Sequence, residues 1–170
     1  TEVILEAYRE WSERCLERFN GMFAFALWDR RAERLLLARD RLGKKPLFYK
    51  LLNDGGIVFA SELKALARDP SVKNELNPRA VGQFLSLNYV LSSECIIKGV
   101  SKLEAGHYLV IEKDRTPRFE RYWDLASFFA DKKSFSGERE AAERLNAILD
   151  DAVKIRMISD VPLGAFLSGG

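Results

Sequence analysis

The apolar stretch Met22-Phe23-Ala24-Phe25-Ala26-Leu27-Trp28 is the part of the sequence that decides the fold. It does not alternate apolar and polar residues, which is typical of a strand covered on both faces. Further apolar strand candidates follow at 35–38, 47–52 and 57–60, separated by turn-forming residues. Because buried antiparallel strands need helices on both faces, we expect an α+β fold with a layered sandwich.

Helical patterns flank these strands. The residues before the first strand predict a helix, since its apolar side chains recur every three or four positions at Val3, Ile4, Ala7, Tyr8 and Trp11. We expect Thr1 to cap this helix rather than to serve as an N-terminal nucleophile. Ser61 is expected to cap a short second helix with Glu62 in its first turn, and Asn77-Pro78 to start a third. Two later strands are predicted over 106–113 and 118–123.

Composition excludes several classes of function. The 170 residues are 47% hydrophobic and 31% charged, as in ordinary soluble domains. The 27 basic and 25 acidic residues are interspersed and leave a net charge of +2, so neither nucleic acid nor a membrane surface is an expected partner. The longest apolar run, 22–28, is too short to cross a bilayer. We therefore expect a cytoplasmic protein.

The chain has two cysteines and one histidine. This number is too small for a disulfide framework or a zinc site, and the composition does not favour a Ser-His-Asp triad. Cys15 and Cys95 are interpreted as structural thiols, and His107 as a residue packed at a turn. No metal ligand and no catalytic residue is assigned.

A second domain is predicted towards the end of the chain. The polar segment 131–137 is typical of a linker, and residues 138–157 predict a helix with one apolar face, formed by Leu145, Ile148, Leu149, Ala152 and Val153. We expect a first domain over 1–123, a linker over 124–137 and a second domain over 138–170. A helix, a buried strand and a Gly-rich turn open many α/β nucleotide-binding domains.

The last residues, Leu167-Ser168-Gly169-Gly170, fit such a turn. We expect a strand over 163–167 and a phosphate loop that begins at Ser168, because backbone N–H groups of Gly-rich turns bind phosphate oxygens. Leu167 either contacts the nucleotide through its backbone or belongs to the core of the sheet.

Together these motifs resemble the glutamine-hydrolysing asparagine synthetases. The resemblance covers the whole chain and is carried, in order, by residues 18–29, 38–49, 59–66, 99–103, 106–108, 122–124, 161–164 and 167–170. The pieces Arg39-Asp40-Arg41-Leu42-Gly43-Lys44-Lys45-Pro46-Leu47 and Ser61-Glu62 are similar to those of several class II glutamine amidotransferases. Tyr122-Trp123-Asp124 and the terminal Leu-Ser-Gly-Gly point to the synthetases in particular.

The resemblance implies an Ntn-hydrolase-type αββα sandwich, incomplete at its N-terminus, followed by the first helix and strand of an ATP pyrophosphatase domain. In this family an N-terminal cysteine hydrolyses glutamine, and ammonia passes to a site where ATP and Mg²⁺ activate aspartate. The products are asparagine, glutamate, AMP and pyrophosphate. Leu167, Ser168, Gly169 and Gly170 would begin the ATP and pyrophosphate site.

The catalytic cysteine and the glutamine-binding residues of the family lie upstream of Thr1. No catalytic or glutamine-binding residue is therefore assigned, and we expect an internal fragment that is inactive by itself. The substrates implied for the parent protein are glutamine, aspartate and ATP. The resemblance is also compatible with assembly as a homodimer.

Alternatives remain at this point. The relatives include β-lactam-forming synthetases without glutamine hydrolysis and amidotransferases that modify cell-surface saccharides, and a non-catalytic scaffold module with the inherited fold is a third interpretation. Arg39 and Asp40 are interpreted as a structural pair that locks the following loop, or as part of the glutamine-pocket surround; the structural interpretation is favoured.

Overall fold

The computed structural model describes residues 1–91, 93–113, 116–130 and 132–167. The chain divides into two compact units, Thr1–Leu125 and Ala126–Gly170. The helices of the described residues are α1 (Glu2–Trp11), α2 (Leu63–Leu66), α3 (Pro78–Leu87), α4 (Ser127–Ala130) and α5 (Glu138–Lys154), with a 3₁₀ helix at Ser12–Arg18. The strands are β1 (Ala24–Asp29), β2 (Arg34–Arg39), β3 (Phe48–Leu51), β4 (Ile57–Ala60), β5 (Ser101–Lys102), β6 (His107–Glu112) and β7 (Arg118–Arg121).

The strands form two antiparallel sheets, with the orders β1-β2-β6-β7 and β4-β3-β5. In the first sheet Leu36 of β2 lies opposite Leu27 of β1 and Val110 of β6. The mixed α+β expectation is confirmed, and the predicted strand at 57–60 agrees with β4 at both ends.

The two inner strands are covered on both faces: Leu36, Leu37 and Ala38 of β2 are fully buried, and so are Leu109 and Val110 of β6. The same prediction for 22–28 was wrong. That segment forms β1 only from Ala24, at one edge of its sheet, and Trp28 is 56% exposed. Leu27 is buried on one face of β1, but Ala26 and Trp28 on the other face are exposed, so the apolar sequence does not lead to burial on both faces.

Successive side chains of a strand point to opposite faces, and this places each sheet between two apolar layers. On the outer face of the first sheet, α1 and the 3₁₀ helix pack against it through Ala7, Tyr8, Cys15, Leu16, Leu27, Leu36, Ala38 and Val110. Between the sheets lie Leu37, Leu47, Leu103 and Leu109. Outside the second sheet, α2 and the chain around it contribute Leu66, Val72, Cys95 and Val100. The first unit is therefore layered as helix, sheet, sheet and helix.

The predicted N-terminal caps of the helices agree with the structure at some helices and not at others. Asn77 caps α3 as predicted, since its side chain accepts a hydrogen bond from the Arg79 N–H at 3.1 Å. Ser61 does not cap α2, because the helix begins at Leu63 and Glu62 takes the cap position without a side-chain bond. Thr1 occupies the cap position of α1, where its carbonyl, not its side chain, accepts hydrogen bonds.

The second unit contains α4 and α5. The apolar face predicted for α5 is present, but Leu145, Ile148 and Val153 each keep more than half of their surface exposed. The predicted strand at 163–167 is wrong, because these residues adopt no strand structure and pair with no described strand. In the part of the chain that the structure covers, no helix combines the length and the apolar character needed to cross a membrane.

Candidate functional site

The loop 40–46, which follows β2, is held by the carboxylate of Asp40. Asp40 is 2% exposed and lies directly after β2, one of the two inner strands of the first sheet. Its Oδ1 accepts hydrogen bonds from the N–H groups of Leu42 at 3.2 Å and Lys44 at 2.9 Å. Its Oδ2 accepts from Lys45 at 2.9 Å and from Phe23, just before β1, at 3.2 Å. One buried side chain therefore shapes the loop and ties it to the neighbouring strand.

Arg39 binds the same loop through its carbonyl groups. The guanidinium donates from Nε to the Lys45 carbonyl at 2.8 Å, from Nη2 to the Gly43 carbonyl at 2.7 Å and from Nη1 to the Leu103 carbonyl at 2.6 Å. Burial lowers the pKa of Arg39, and the charge of Asp40 opposes that shift. Gly43 has φ +64°, and a Cβ there would lie 2.9 Å from the Arg39 guanidinium. The loop therefore needs glycine at this position.

The favoured structural interpretation of Arg39 and Asp40 agrees with this geometry. The cation binds backbone carbonyls and the anion binds backbone N–H groups, so both charges are satisfied by the main chain. Both oxygens of Asp40 already accept two N–H groups each, so the main chain occupies this carboxylate. The arrangement supports a rigid loop, not an acid–base pair.

The end of the first unit lies against this loop. The Tyr122 hydroxyl donates to the Arg39 carbonyl at 2.8 Å. The N–H groups of Tyr122 and Trp123 donate to the Gly106 carbonyl at 2.9 and 3.2 Å, and the Gly106 N–H donates to the Asp40 carbonyl at 3.0 Å. Arg39, Asp40, Gly106 and Tyr122 are called the Asp40 cluster below.

Close contact explains two properties of the Asp40 cluster. Gly106 has φ +70°, and a Cβ there would lie 2.5 Å from the Trp123 carbonyl oxygen, so only glycine fits. Burial, and to a lesser degree the charge of Asp40, raises the pKa of Tyr122 well above its usual range. The Tyr122 hydroxyl therefore remains a neutral donor throughout the physiological range.

The outward side of loop 40–46 is exposed. Leu42 keeps 61% of its surface, and Lys44, Lys45 and Pro46 are also exposed. The loop thus presents an apolar side chain and two cations on a base that the Asp40 cluster fixes. This combination suits positioning of a neighbouring segment or ligand more than covalent chemistry.

The predicted ATP-site residues lie elsewhere. Leu167, at the end of the described chain, is 97% exposed, so it does not belong to a sheet core in this structure. Ser168, Gly169 and Gly170 lie outside the described residues, as does Asp131 at the start of the predicted linker. The phosphate loop remains a prediction.

The two thiols are not reactive groups. Cys15 and Cys95 are buried at 0% and 1% exposure, and burial raises the pKa of both. Both thiols therefore pack as small apolar groups, in agreement with the sequence interpretation. Among residues 1–91, 93–113, 116–130 and 132–167 there is no group of three or more side chains that could hold a metal ion.

Comparison with known proteins places these features in a family. A family model described as glutamine amidotransferase domain matches residues 1–123, and one described as asparagine synthase matches residues 144–170. The chain belongs to the glutamine amidotransferase domain family. The resemblance inferred from the motifs is thereby confirmed.

Relatives of this amidotransferase domain align over the whole chain. A putative glutamine-hydrolysing asparagine synthetase 2 of Methanocaldococcus jannaschii is 40% identical over 173 residues, covering 100% of this chain and 33% of that protein. The glutamine-hydrolysing asparagine synthetase 3 of Bacillus subtilis is 35% identical over 171 residues, covering 100% of this chain and 27% of that protein. The amidase chry2 of Gibberella zeae is 31% identical over 172 residues, covering 99% of this chain and 24% of that protein. The chain thus spans a third or less of the length of these relatives.

Sequence reasoning missed one functional connection in the amidotransferase unit. The sequence identifies Tyr122 only as part of a motif typical of the synthetases, whereas its hydroxyl in the structure donates to the carbonyl of Arg39, where the amidotransferase motif begins. The signal that could have found it is the glycine at position 106, since a turn glycine before a strand can accept close approach of another segment.

Proposed function

We propose that this chain is part of an asparagine synthetase that transfers the amide nitrogen of glutamine to aspartate, with conversion of ATP to AMP and pyrophosphate. The observation that carries the proposal is the order of two family matches on one chain, glutamine amidotransferase at 1–123 and asparagine synthase at 144–170. The first match supports glutamine as the nitrogen donor, and the second supports asparagine as the product. Neither match alone would give both halves of the reaction.

The domain division follows the same proposal. Residues 1–123 form the glutaminase domain of Ntn-hydrolase type, 124–137 the linker and 138–170 the start of the ATP pyrophosphatase domain. The four layers of the first unit and the separation of the chain into 1–125 and 126–170 support it. On this division the exposed apolar face of α5 belongs to the ATP pyrophosphatase domain, of which residues 138–170 are the start.

Leu167, Ser168, Gly169 and Gly170 begin the ATP and pyrophosphate site in this proposal. A leaving pyrophosphate is highly charged, and backbone N–H groups of a Gly-rich turn stabilise it without any side chain. The described residues offer no cluster of carboxylates or other ligands for Mg²⁺. We therefore derive no step through the metal.

A second candidate function keeps the chemistry and changes the acceptor. Two fungal amidases, chry2 of Gibberella zeae and chyE of Penicillium rubens, align over 99% of this chain at 31% and 32% identity. Those identities are only slightly below that of the Bacillus subtilis synthetase. Another amidotransferase of this family, acting on an acceptor other than aspartate, is therefore the alternative.

The deciding experiment is a product assay on the protein as it is encoded, with glutamine, aspartate, ATP and Mg²⁺. We expect asparagine, glutamate and AMP to accumulate together, with asparagine and AMP also formed when ammonium chloride replaces glutamine. Omission of aspartate should stop AMP formation. AMP formation that does not depend on aspartate would favour the amidase-like alternative. Asparagine synthesis from ammonia without glutamate release from glutamine would show that glutamine hydrolysis is lost.

A pair of glycine variants tests the proposed ATP loop in the same assay. Gly169→Val places a branched side chain where the loop needs bare backbone, so AMP formation should fall while glutamate release continues. Gly137→Val is the matched control, because a Cβ at Gly137 meets no atom within 4 Å. Equal activity of the two variants would contradict the assignment of the loop.

For the 170-residue chain alone we expect neither glutaminase nor synthetase activity. Glutamate release from glutamine by this purified chain would contradict that expectation. The substrates of the parent protein are small molecules in this proposal, its location is the cytoplasm, and a homodimer is its candidate assembly.

A further inference from the structure

The segment through which the chain leaves the first unit is bonded to Arg39, the last residue of β2, and through Gly106 to Asp40, the first residue of loop 40–46. β7 ends at Arg121, and the next two residues lie on the Asp40 cluster before the chain enters 126–170. The contacts form a closed ring of hydrogen bonds. Tyr122 Oη donates to Arg39, the Tyr122 N–H donates to Gly106, and the Gly106 N–H donates to Asp40, which follows Arg39 in the chain.

This ring joins three segments that are far apart in sequence, and most of its bonds use main-chain groups. A hydrogen bond between main-chain groups opens only when the backbone of one segment moves. Movement of any one of the three segments therefore disturbs the hydrogen bonds of the other two. The Tyr122 hydroxyl is the one side-chain group in this ring of hydrogen bonds. The substitution Tyr122→Phe removes it and keeps the aromatic side chain. A Cβ at position 106 would lie 2.5 Å from the Trp123 carbonyl oxygen, so this close approach of the exit segment depends on glycine.

We propose that loop 40–46 and the exit segment 122–123 open and close as one unit through the Tyr122 hydroxyl. A displacement of the chain where it enters residues 126–170 would then change the conformation of loop 40–46, whose outward side carries Leu42, Lys44 and Lys45. This device goes beyond the proposed synthetase function and does not depend on it. It requires only the hydrogen bonds of the Asp40 cluster.

The test is amide hydrogen exchange on the full 170-residue chain with the variant Tyr122→Phe. Amides of Lys44, Lys45 and Trp123 should exchange about fivefold to tenfold faster, because a typical intramolecular hydrogen bond contributes on the order of 1 kcal/mol to local opening. The matched control is Tyr8→Phe, which removes a hydroxyl bonded to Arg34 at the opposite end of β2. It should leave the amides of Lys44 and Lys45 unchanged.

The reverse perturbation is Asp40→Asn, which acts on the loop side and should also speed exchange at Trp123. Faster exchange at Trp123 with unchanged Lys44 and Lys45 in Tyr122→Phe would overturn the proposal, as would no change at either place. In Tyr122→Phe, a uniform acceleration that includes Leu109 and Val110, in the centre of β6, would show global destabilisation and would also overturn it. Because Asp40→Asn is itself expected to lower global stability, its exchange at Trp123 must rise by a larger factor than the exchange at Leu109 and Val110.

Discussion

Replacement of Asp40 by asparagine removes a charge while keeping the size of the side chain. The retained oxygen can accept from one pair of N–H groups, either Leu42 and Lys44 or Phe23 and Lys45. The new NH₂ group must then face the other pair, so two hydrogen bonds are lost and donors oppose each other. Because Asp40 is 2% exposed, water cannot replace those bonds easily.

The expected cost follows from these two bonds. Hydrogen bonds to a charged group contribute about 1.5–3 kcal/mol each, so two of them amount to about 3 kcal/mol at the lower end. We take the lower end because burial of a neutral amide costs less than burial of a carboxylate. A loss of about 3 kcal/mol is a large share of the roughly 5–15 kcal/mol by which a domain is stable, yet it leaves the chain folded.

Urea unfolding, followed by tryptophan fluorescence, measures this loss. With a urea m value of about 2 kcal/mol/M, the unfolding midpoint of Asp40→Asn should fall by about 1.5 M without a change in m. The matched control is Asp54→Asn, since the exposed Asp54 accepts one backbone N–H at 2.9 Å through an oxygen that asparagine retains. We expect no measurable change there. An Asp40→Asn midpoint equal to that of the unmodified chain would refute the role assigned to the carboxylate.

The remaining predictions concern the same region. Arg39→Lys should lower the free energy of unfolding by about 1–3 kcal/mol, because one ammonium cannot reach the three carbonyls that the planar guanidinium binds; an unchanged urea midpoint would argue against this. Gly106→Ala should destabilise by about 2 kcal/mol or more because its Cβ meets the Trp123 carbonyl, whereas Gly82→Ala, within α3 with open space around its Cβ, should stabilise by roughly 0.5–1 kcal/mol in the same measurement. Burial raises the pKa of Tyr122 above its ordinary 10.0. Above about pH 10 the unfolded chain therefore loses this proton before the folded chain does, and the free energy of unfolding falls. Thermal unfolding between about pH 8 and about pH 11 should show a smaller loss of stability for Tyr122→Phe than for the unmodified chain.

The sequence predicted six of the seven described strands of the first unit because local patterns determine them, and it missed the two-residue β5. β2 and β4 are short apolar runs bounded by turn residues, and their positions follow from those boundaries. The sequence did not show that β1 lies at a sheet edge, since the apolar composition of 22–28 is the same in an edge or a central strand. Which strand becomes central depends on pairing with β6, a partner distant in sequence.

The candidate site shows the same limit. The motif around Arg39 and Asp40 could be recognised, and its structural role follows from two opposite charges beside a glycine-containing loop. The contact from Tyr122 to Arg39 could not be derived, because it depends on the path of β6 and β7 and spans 83 positions of sequence. The predicted strand at 163–167 failed for a related reason, since an apolar run becomes a strand only where another strand supplies hydrogen bonds.

The way in which Arg39 and Asp40 share the main chain has a consequence for natural variation. Two side chains that pair with each other can exchange places, because an ion pair keeps its attraction when both charges are reversed. Here the cation contacts only oxygen acceptors and the anion only N–H donors. An exchange of the two residues would set donor against donor and acceptor against acceptor, so the order of arginine before aspartate is fixed by the polarity of the peptide bond itself.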